Sequence, residues 1–382
     1  MSKFGKDITV LFLGNAYFDS RTVNLMESFA EDKIDYRMIS FDWSGKPAES
    51  ANPRVEVISL DRRSTIKFYG KFFFLLFLRL LTLRSKIIIA EDVYTLPLAA
   101  LFSKLKRSKL LYNSRELYGF LAGLREKART QKIIAGIEKI FIGYVDLVLT
   151  TGEMDSEFIE EYYKLPGSLV LRNLPRYSQN IKPYDLRSEL NIPADKKILI
   201  YQGVVLEGRG IRKMIEFMAE FDNLVFVILG DGAFKEKFEQ FSKELLLDDR
   251  VFYYGRVPHE KLLEYSAGAD LGIAVIENIS KSYYYALPNK LFEYIMVGLP
   301  VISSNLPQMK KIVESYNTGF IVDPEIRGTI YDVFEKINNN EINLEFYKEN
   351  CLEAAKELNW ENEYRKLGEV LKQFLGRADV QR

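Results

Sequence analysis

The sequence predicts an α/β protein with two doubly wound, Rossmann-like domains, each built on a parallel sheet. Short runs of consecutive apolar residues alternate with helical patterns along nearly the whole chain, which is typical of parallel strands covered by helices on both faces. The length of 382 residues suits two domains of ordinary size. Between 173 and 193 the alternation stops, and three prolines give this segment the composition of a linker. We therefore expect two domains that face each other across a ligand-binding cleft.

The first predicted domain covers residues 1–180. Its predicted strands are short apolar runs: Ile8–Gly14, Tyr36–Ser40, Val55–Leu60, Lys86–Ala90, Leu110–Tyr112 and Val145–Thr150. Helical patterns occupy three of the segments between them: Thr22–Ala30, Leu96–Leu105 and Thr130–Ile142.

The second predicted domain covers residues 190–358, where the same alternation restarts. Its predicted strands are Lys197–Tyr201, Leu224–Leu229, Val251–Tyr254, Asp270–Val275, Val301–Ser303 and Gly319–Val322. A separate C-terminal segment, 359–382, contains an amphipathic helical pattern at Trp360–Leu375.

Composition excludes several classes of function. The formal net charge of zero argues against bulk nucleic-acid binding. With one cysteine, Cys351, and one histidine, His259, the chain has neither a disulfide framework nor the ligands of a usual zinc site. His259 lies in a polar turn and is expected to be a solvated surface residue. The longest apolar run, Phe72–Leu83, is too short to span a bilayer, and no signal peptide is evident, so we expect a cytoplasmic protein.

The segment Leu287–Ile302 predicts a short helix that leads directly into a strand. Asn289 suits the N-cap, Gly298 suits the left-handed position after the helix, and Pro300 prevents continuation. The expected buried face consists of Leu291, Phe292, Ile295 and Met296. Glu293 lies near the positive end of this helix, where its carboxylate could accept bonds from two adjacent hydroxyls, such as those of a ribose. The alternative is an ordinary amphipathic helix with one solvated glutamate.

Three loops of the second domain have compositions suited to a phosphorylated ligand. In the first, Gly203, Gly208 and Gly210 lie between a strand and a helix, so backbone N–H groups could approach a phosphate closely. Arg209 in the same loop could bind a diphosphate with its planar guanidinium. The second loop contains Gly230, Asp231 and Gly232, and the third contains Arg256 and Val257. Each loop, taken alone, is also compatible with a plain turn between a strand and a helix.

Together these motifs resemble, in order and spacing, the donor site of retaining glycosyltransferases of family 4, which have the two-domain GT-B fold. The resemblance is good over residues 190–325 and weak before them. It implies that Glu293 holds the ribose of a UDP- or GDP-sugar, that Arg209 and Lys290 neutralise the diphosphate, and that no metal or other cofactor is needed. It also suggests that segment 359–382 crosses back onto the first domain. The implied donor-binding residues are Gly203, Gly208, Arg209, Gly230, Asp231, Gly232, Arg256, Val257, Tyr285, Asn289, Lys290, Leu291 and Glu293.

Three positions depart from the family pattern. Val204 stands where a first basic residue is usual, and Tyr285 stands where many members have a glutamate eight positions before Glu293. Arg115 occupies a position where a histidine is often found near the reacting sugar. An arginine cannot act as a base at neutral pH, but it could stabilise a leaving diphosphate.

The first domain is expected to hold the acceptor. Gly14 and Asn15 open its first loop, where the family often has glycines that face the cleft. The segment around Arg115 and Glu116 resembles a family motif, which makes these two residues catalytic candidates together with Arg209 and Lys290. Alternatively, Arg115 and Glu116 form a surface ion pair.

The stretch 62–86 combines aromatic and basic residues. From Arg54 to Lys139 the sequence has 18 basic and 7 acidic residues, although the whole chain is neutral. Aromatic and basic character together suit an interfacial helix on an anionic membrane surface, on the inner face of the plasma membrane. A core helix with snorkelling cations is the alternative.

The expected function is therefore transfer of a sugar, with retention of configuration, from a nucleotide sugar to a glycan or lipid-linked acceptor in envelope or exopolysaccharide synthesis. Two other functions remain open. A nucleotide-sugar epimerase shares this fold but usually needs several acidic and histidine proton carriers. A non-catalytic sugar-binding scaffold would account for the departures at Val204, Tyr285 and Arg115.

Overall fold

Two parallel sheets organise the chain, one in each of two structural units. The computed structural model describes residues 5–43, 52–124 and 126–376. The first unit comprises Met1–Asn173 and Asn362–Arg382, and the second comprises Leu174–Glu361. Within the described residues, no helix combines the length and apolarity that crossing a membrane requires.

The first unit contains seven described strands, all paired in parallel. They are β1 (Lys6–Phe12), β2 (Tyr36–Asp42), β3 (Val55–Ser59), β4 (Ser85–Ala90), β5 (Lys109–Ser114), β6 (Leu147–Thr150) and β7 (Ser168–Val170). The sheet order is β3-β2-β1-β4-β5-β6-β7, so the direction of strand addition reverses between β1 and β4. The long helices are α1 (Ser20–Glu31), α2 (Thr65–Thr82), α3 (Leu96–Lys106), α4 (Ala128–Phe141) and α5 (Glu153–Tyr163).

The second unit repeats this plan with six described strands in the order β10-β9-β8-β11-β12-β13. They are β8 (Lys197–Gln202), β9 (Leu224–Leu229), β10 (Val251–Gly255), β11 (Leu271–Ala274), β12 (Val301–Ser304) and β13 (Gly319–Val322). The helices are α6 (Leu186–Glu189), α7 (Ile211–Met218), α8 (Lys235–Glu244), α9 (Leu262–Ala267), α10 (Lys281–Tyr284), α11 (Asn289–Met296), α12 (Pro307–Tyr316), α13 (Arg327–Asn338) and α14 (Leu344–Ala355).

The predicted α/β class with two doubly wound sheets is confirmed. Every residue of β9 is buried, as expected for a central strand covered on both faces. The core of the second unit also includes Tyr201, Ile228 and Phe334, which are nearly inaccessible to solvent. The short strand β7 and the helix α5 were not predicted. The strand β7 has only three residues, all half-buried, and therefore a weak apolar signal.

The last helix, α15 (Trp360–Leu375), begins in the second unit and returns the chain to the first. In the first unit, the Tyr364 hydroxyl donates to Asp32 at 2.8 Å and Arg172 pairs with Glu363 at 3.0 Å. The end of the predicted C-terminal segment, 377–382, lies outside the described residues.

The helix α11 differs from its prediction at its first residue. Asn289 is helical, and Pro288 occupies the N-cap, where its carbonyl accepts from the Leu291 N–H at 3.1 Å. The prediction that Asn289 is the N-cap is therefore wrong; Pro288 already has the extended backbone that an N-cap requires. The predicted end is confirmed, since Gly298 adopts a positive φ of 71°.

Candidate functional site

Three glycine-containing loops meet at the carboxyl edge of the second sheet. Gly203 donates to the Leu229 carbonyl at 2.9 Å, and Gly230 donates to the Gly255 carbonyl at 2.7 Å. A Cβ on Gly230 would lie 1.9 Å from the Gly203 carbonyl oxygen, so the two loops can meet only because this residue has no side chain. The loops after β8, β9 and β10 thus form one surface of backbone beside β11, where the strand order reverses. Open α/β sheets bind ligands at such a point.

Lys290, in the first turn of α11, brings a buried cation to this surface. Its side chain is only 7% exposed, and its Nζ lies 3.4 Å from the ring centroid of Tyr201. Among the described residues this Nζ has no hydrogen-bond partner. Burial, together with the nearby Arg209, holds the pKa of Lys290 well below its usual range. The aromatic ring offsets only part of the cost of a buried ammonium, so a bound anion would stabilise Lys290 further.

Arg209 supplies a second cation next to Lys290. Its guanidinium carbon lies 4.6 Å from the ring centroid of Tyr283. A Cβ on Gly208 would approach the same ring to 3.0 Å, so the glycine lets the loop lie against Tyr283 and fixes where Arg209 begins. Two cations that raise each other's electrostatic energy form a site for a ligand with more than one negative charge.

Glu293 lies one turn further along α11 and is buried, at 9% exposure. Its Oε2 accepts a hydrogen bond from the Gln202 side-chain amide, whose own oxygen accepts from the Ser266 hydroxyl. Burial raises the pKa of Glu293, while His259, Gln202 and Lys290 act in the opposite direction. No described protein group donates to Glu293 Oε1, which leaves this oxygen for a ligand hydroxyl.

Tyr294 anchors this helix to the sheet. Its hydroxyl accepts from the Gln202 N–H and donates to the Ile200 carbonyl, both at 3.1 Å. The sequence analysis missed Gln202, Tyr201 and Ser266, which position Glu293 and Lys290. The available signal was the end of β8, where the aromatic Tyr201 is followed by the amide side chain of Gln202.

The other predicted donor-site residues lie around this centre. Asp231 and Arg256 form an ion pair at 3.3 Å that is largely exposed to solvent. The next residue in the chain, Val257, is half-buried. Leu291 is fully buried, so its side chain belongs to the core. Tyr285 follows α10, and its carbonyl accepts from the Gln308 side chain at 2.6 Å.

A second side-chain cluster lies at the carboxyl edge of the first sheet. Arg115 forms ion pairs at 2.7 Å with Asp19, the N-cap of α1, and with Glu91, at the end of β4. The alternative surface pair between Arg115 and Glu116 is therefore wrong, because the side chain of Arg115 is only 13% exposed and is directed to these two acids. Although burial opposes it, Asp19 and Glu91 hold the pKa of Arg115 above its usual range.

Other groups around this cluster include a buried acid and the first loop. Burial raises the pKa of Asp92 to about 6, although the Leu13 N–H donates to it at 2.6 Å. Asn15 caps a short 3₁₀ turn by accepting from the Tyr17 N–H at 3.1 Å, and the Gly14 carbonyl accepts from the Ser40 hydroxyl at 2.8 Å. The side chain of Glu116 is exposed.

Comparison with known proteins identifies the class of fold. The chain is similar to sucrose-phosphate synthase from Thermosynechococcus elongatus, with a TM-score of 0.77 and 18% identity over 98% of this chain and 100% of that one. It is also similar to Anabaena HepE in complex with UDP-glucose, with a TM-score of 0.69 and 16% identity over 96% and 99% of the two chains. The fold is the GT-B fold of two-domain glycosyltransferases.

The sequence of the second unit is more specific. Residues 184–357 match the family model of glycosyl transferases group 1. An uncharacterized glycosyltransferase of Methanocaldococcus jannaschii is 26% identical over 189 residues, which are 46% of this chain and 43% of that protein. The matched region thus spans less than half the length of this relative.

Proposed function

We propose that the protein is a retaining glycosyltransferase that takes its sugar from a UDP- or GDP-sugar. The single observation that carries this proposal is the buried ammonium of Lys290, which has no hydrogen-bond partner among the described residues and lies beside Arg209 and the exposed Gly203. Two neighbouring cations at one protein surface repel each other, and a bound anion relieves that repulsion. A nucleoside diphosphate supplies charge of the required sign and amount.

The loop geometry suits a diphosphate in particular. The position where a Cβ of Gly203 would lie is 3.8 Å from Lys290 Nζ, so a phosphate oxygen next to this glycine could reach both the backbone and the ammonium. The helix α7 begins directly after Gly210, whose N–H interacts with the Glu277 carboxylate, and the first turn of the helix adds partial positive charge at the same edge of the sheet. Arg209 can contribute two parallel hydrogen bonds to neighbouring phosphate oxygens.

Glu293 completes the donor site by binding the ribose. Its Oε1 can accept from a ribose hydroxyl, while Gln202 holds Oε2 and so fixes the orientation of the carboxylate. The similarity to HepE, which binds UDP-glucose, supports a nucleotide-sugar donor. The residues Gly230, Asp231, Gly232, Arg256 and Val257 would border the nucleotide at the edge of the site.

In the reaction, Lys290 and Arg209 would stabilise the charge that develops on the departing diphosphate. Both cations are present before the reaction starts, so no reorganisation is needed as the glycosidic bond breaks. We propose that this replaces a metal ion, and that turnover persists in the presence of a chelator. The acceptor, a glycan or lipid-linked sugar, would bind to the first unit near Gly14, Asn15 and the Arg115 cluster.

The test is release of nucleotide and formation of product with a panel of UDP- and GDP-sugars and envelope-glycan acceptors. We expect release that depends on both donor and acceptor and that survives chelation. Conversion of the donor without any acceptor would indicate an epimerase instead. Tight donor binding without transfer to any acceptor would indicate a sugar-binding scaffold and would contradict the proposal.

A further inference from the structure

We propose that three helices of the first unit form a docking platform for an anionic lipid bilayer. The platform consists of the exposed faces of α2 (Thr65–Thr82), α3 (Leu96–Lys106) and α4 (Ala128–Phe141). It extends the interfacial helix expected at 62–86 to two further helices. The inference is independent of the donor site, because no platform residue belongs to that site.

The topology places the three helices on the same face of the first sheet. The connections that contain α2, α3 and α4 all run in one direction across the sheet, from β3 to β4, β4 to β5 and β5 to β6. Parallel crossovers are right-handed, so connections that run in one direction cover one face. Side-chain contacts agree: the Phe77 and Phe102 rings lie 5.5 Å apart, and Lys104 lies 5.3 Å from the Tyr144 ring directly after α4.

The helix α2 has two apolar stripes, although only one can pack on the sheet. Its buried stripe is Phe68, Phe72, Leu76 and Leu80. On the exposed side, Phe74, Phe77, Leu78 and Leu81 are 37–61% exposed. The spacing of this second set, i, i+3, i+4 and i+7, is that of one continuous helical face. A helix whose outer face is also apolar lacks the polar surface typical of a helix in contact with water.

The helices α3 and α4 continue this apolar surface. Leu101 and Leu105, one helical turn apart on α3, are 46% and 67% exposed. Ile133 and Ile140, two turns apart on α4, are 62% and 65% exposed. Exposed apolar side chains at helical spacing on three adjacent helices form an apolar area of the kind that marks an interaction site.

The charge of the platform indicates which kind of partner binds there. The three helices carry eight basic residues and one acidic residue, Glu138, which is buried. Among the basic residues, Arg79 pairs with Glu56 at 2.7 Å and Lys106 donates to backbone carbonyls at the end of α2, so neither is available for a headgroup. Lys67, Lys71, Lys104, Arg129, Lys132 and Lys139 are exposed. Exposed cations around an apolar surface match anionic headgroups above acyl chains.

The same charge argues against a second copy of the chain as the occupant. A two-fold interface would place the platform of one protomer on that of its partner, with six exposed cations on each side. Like charges across an interface disfavour association. An anionic bilayer satisfies both the cations and the apolar side chains.

The experiment is co-sedimentation of the full chain with phosphatidylcholine vesicles, and with vesicles of roughly equal parts phosphatidylcholine and phosphatidylglycerol. We expect binding only to the anionic vesicles, weakened by salt because exposed charges are screened. Lys67→Gln with Lys71→Gln should lower the partition coefficient by roughly fivefold for each lysine. If the wild-type chain ignores anionic vesicles at low salt, the proposal is wrong.

Apolar variants distinguish the three-helix platform from simple charge attraction. Ile133→Ser with Ile140→Ser on α4 should reduce partitioning by roughly tenfold or more, because both side chains leave the acyl boundary. The matched control is Leu246→Ser with Phe346→Ser, which replaces side chains that are 80% and 50% exposed in the second unit. The control should bind vesicles like wild type, and thermal melts should show that both proteins fold. Equal loss in both variants, or no loss with the α4 pair, would overturn the platform.

Discussion

Replacing Lys290 by methionine should separate the cost of its charge for folding from its benefit for binding. Methionine keeps most of the side-chain volume over the Tyr201 ring but removes the buried ammonium. Because that ammonium has no hydrogen-bond partner among the described residues, its removal should leave the free energy of unfolding unchanged or raise it by about 1–3 kcal/mol. Loss of a lysine at a protein surface rarely has such an effect.

The same variant should bind the diphosphate much more weakly. A hydrogen bond to a charged group contributes about 1.5–3 kcal/mol, so the dissociation constant for a nucleoside diphosphate should rise roughly 10- to 150-fold. Titration calorimetry measures this directly, and Lys243→Met, on the exposed side of α8, is the matched control. Greater stability together with weaker binding is the expected signature; lower stability with unchanged affinity would refute the assignment of Lys290.

The pKa of Lys290 adds a pH dependence of known sign. Because the pKa of Lys290 in the folded state lies below its usual value of 10.5, the unfolded chain binds more protons between these two values. The contribution of Lys290 to stability should therefore become less unfavourable as pH rises through that window, and this slope should be absent in Lys290→Met. Diphosphate binding should raise the pKa of Lys290 again and should therefore be accompanied by proton uptake. Calorimetric titrations in buffers of different ionisation enthalpy measure that uptake.

Three further predictions concern neighbouring groups. Arg209→Ala should weaken binding of a nucleoside diphosphate far more than that of the free nucleoside; equal losses would remove Arg209 from the phosphate site. Glu293→Ala should weaken binding of a ribonucleotide by roughly tenfold or more but have a much smaller effect on the 2′,3′-dideoxy analogue, since the analogue has no ribose hydroxyls to lose. The pKa of Asp92 is about 6 in the fold against a usual value of 3.8, so the free energy of unfolding should fall as pH rises between these values. Asp92→Asn should remove roughly 3 kcal/mol of this dependence, and chemical denaturation of both proteins at pH 4 and 7 measures it.

The fold was predictable because its signals are local. Consecutive apolar residues such as those of β9 identify a buried strand within six residues, and alternation with helices then requires a parallel sheet. Glycines at fixed points of the loops after β8 and β9 likewise show where the backbone turns sharply. The end of α11 followed from Gly298 in the same way, because a left-handed residue after a helix is a local preference.

Hydrogen bonds and ion pairs between residues far apart in the sequence were not predictable. Arg115 pairs with Asp19, 96 positions away, and the choice between this acid and the adjacent Glu116 depends on how the ends of three strands converge. Gln202 holds Glu293 across 91 positions, and no local pattern connects an amide at the end of β8 to a carboxylate in α11. The start of α11 was predicted wrongly for a different reason. Pro288 and Asn289 both suit a helix N-terminus, and the sequence alone does not show which of them is the N-cap.

The configuration of the transferred sugar tests the proposed reaction most directly. The purified chain, a UDP- or GDP-sugar that it binds and an envelope-glycan acceptor should yield a glycoside whose anomeric configuration, assigned by NMR, equals that of the donor. The yield should fall strongly in Lys290→Met and not in Lys243→Met. A product of inverted configuration, or unimpaired transfer by Lys290→Met, would contradict the account.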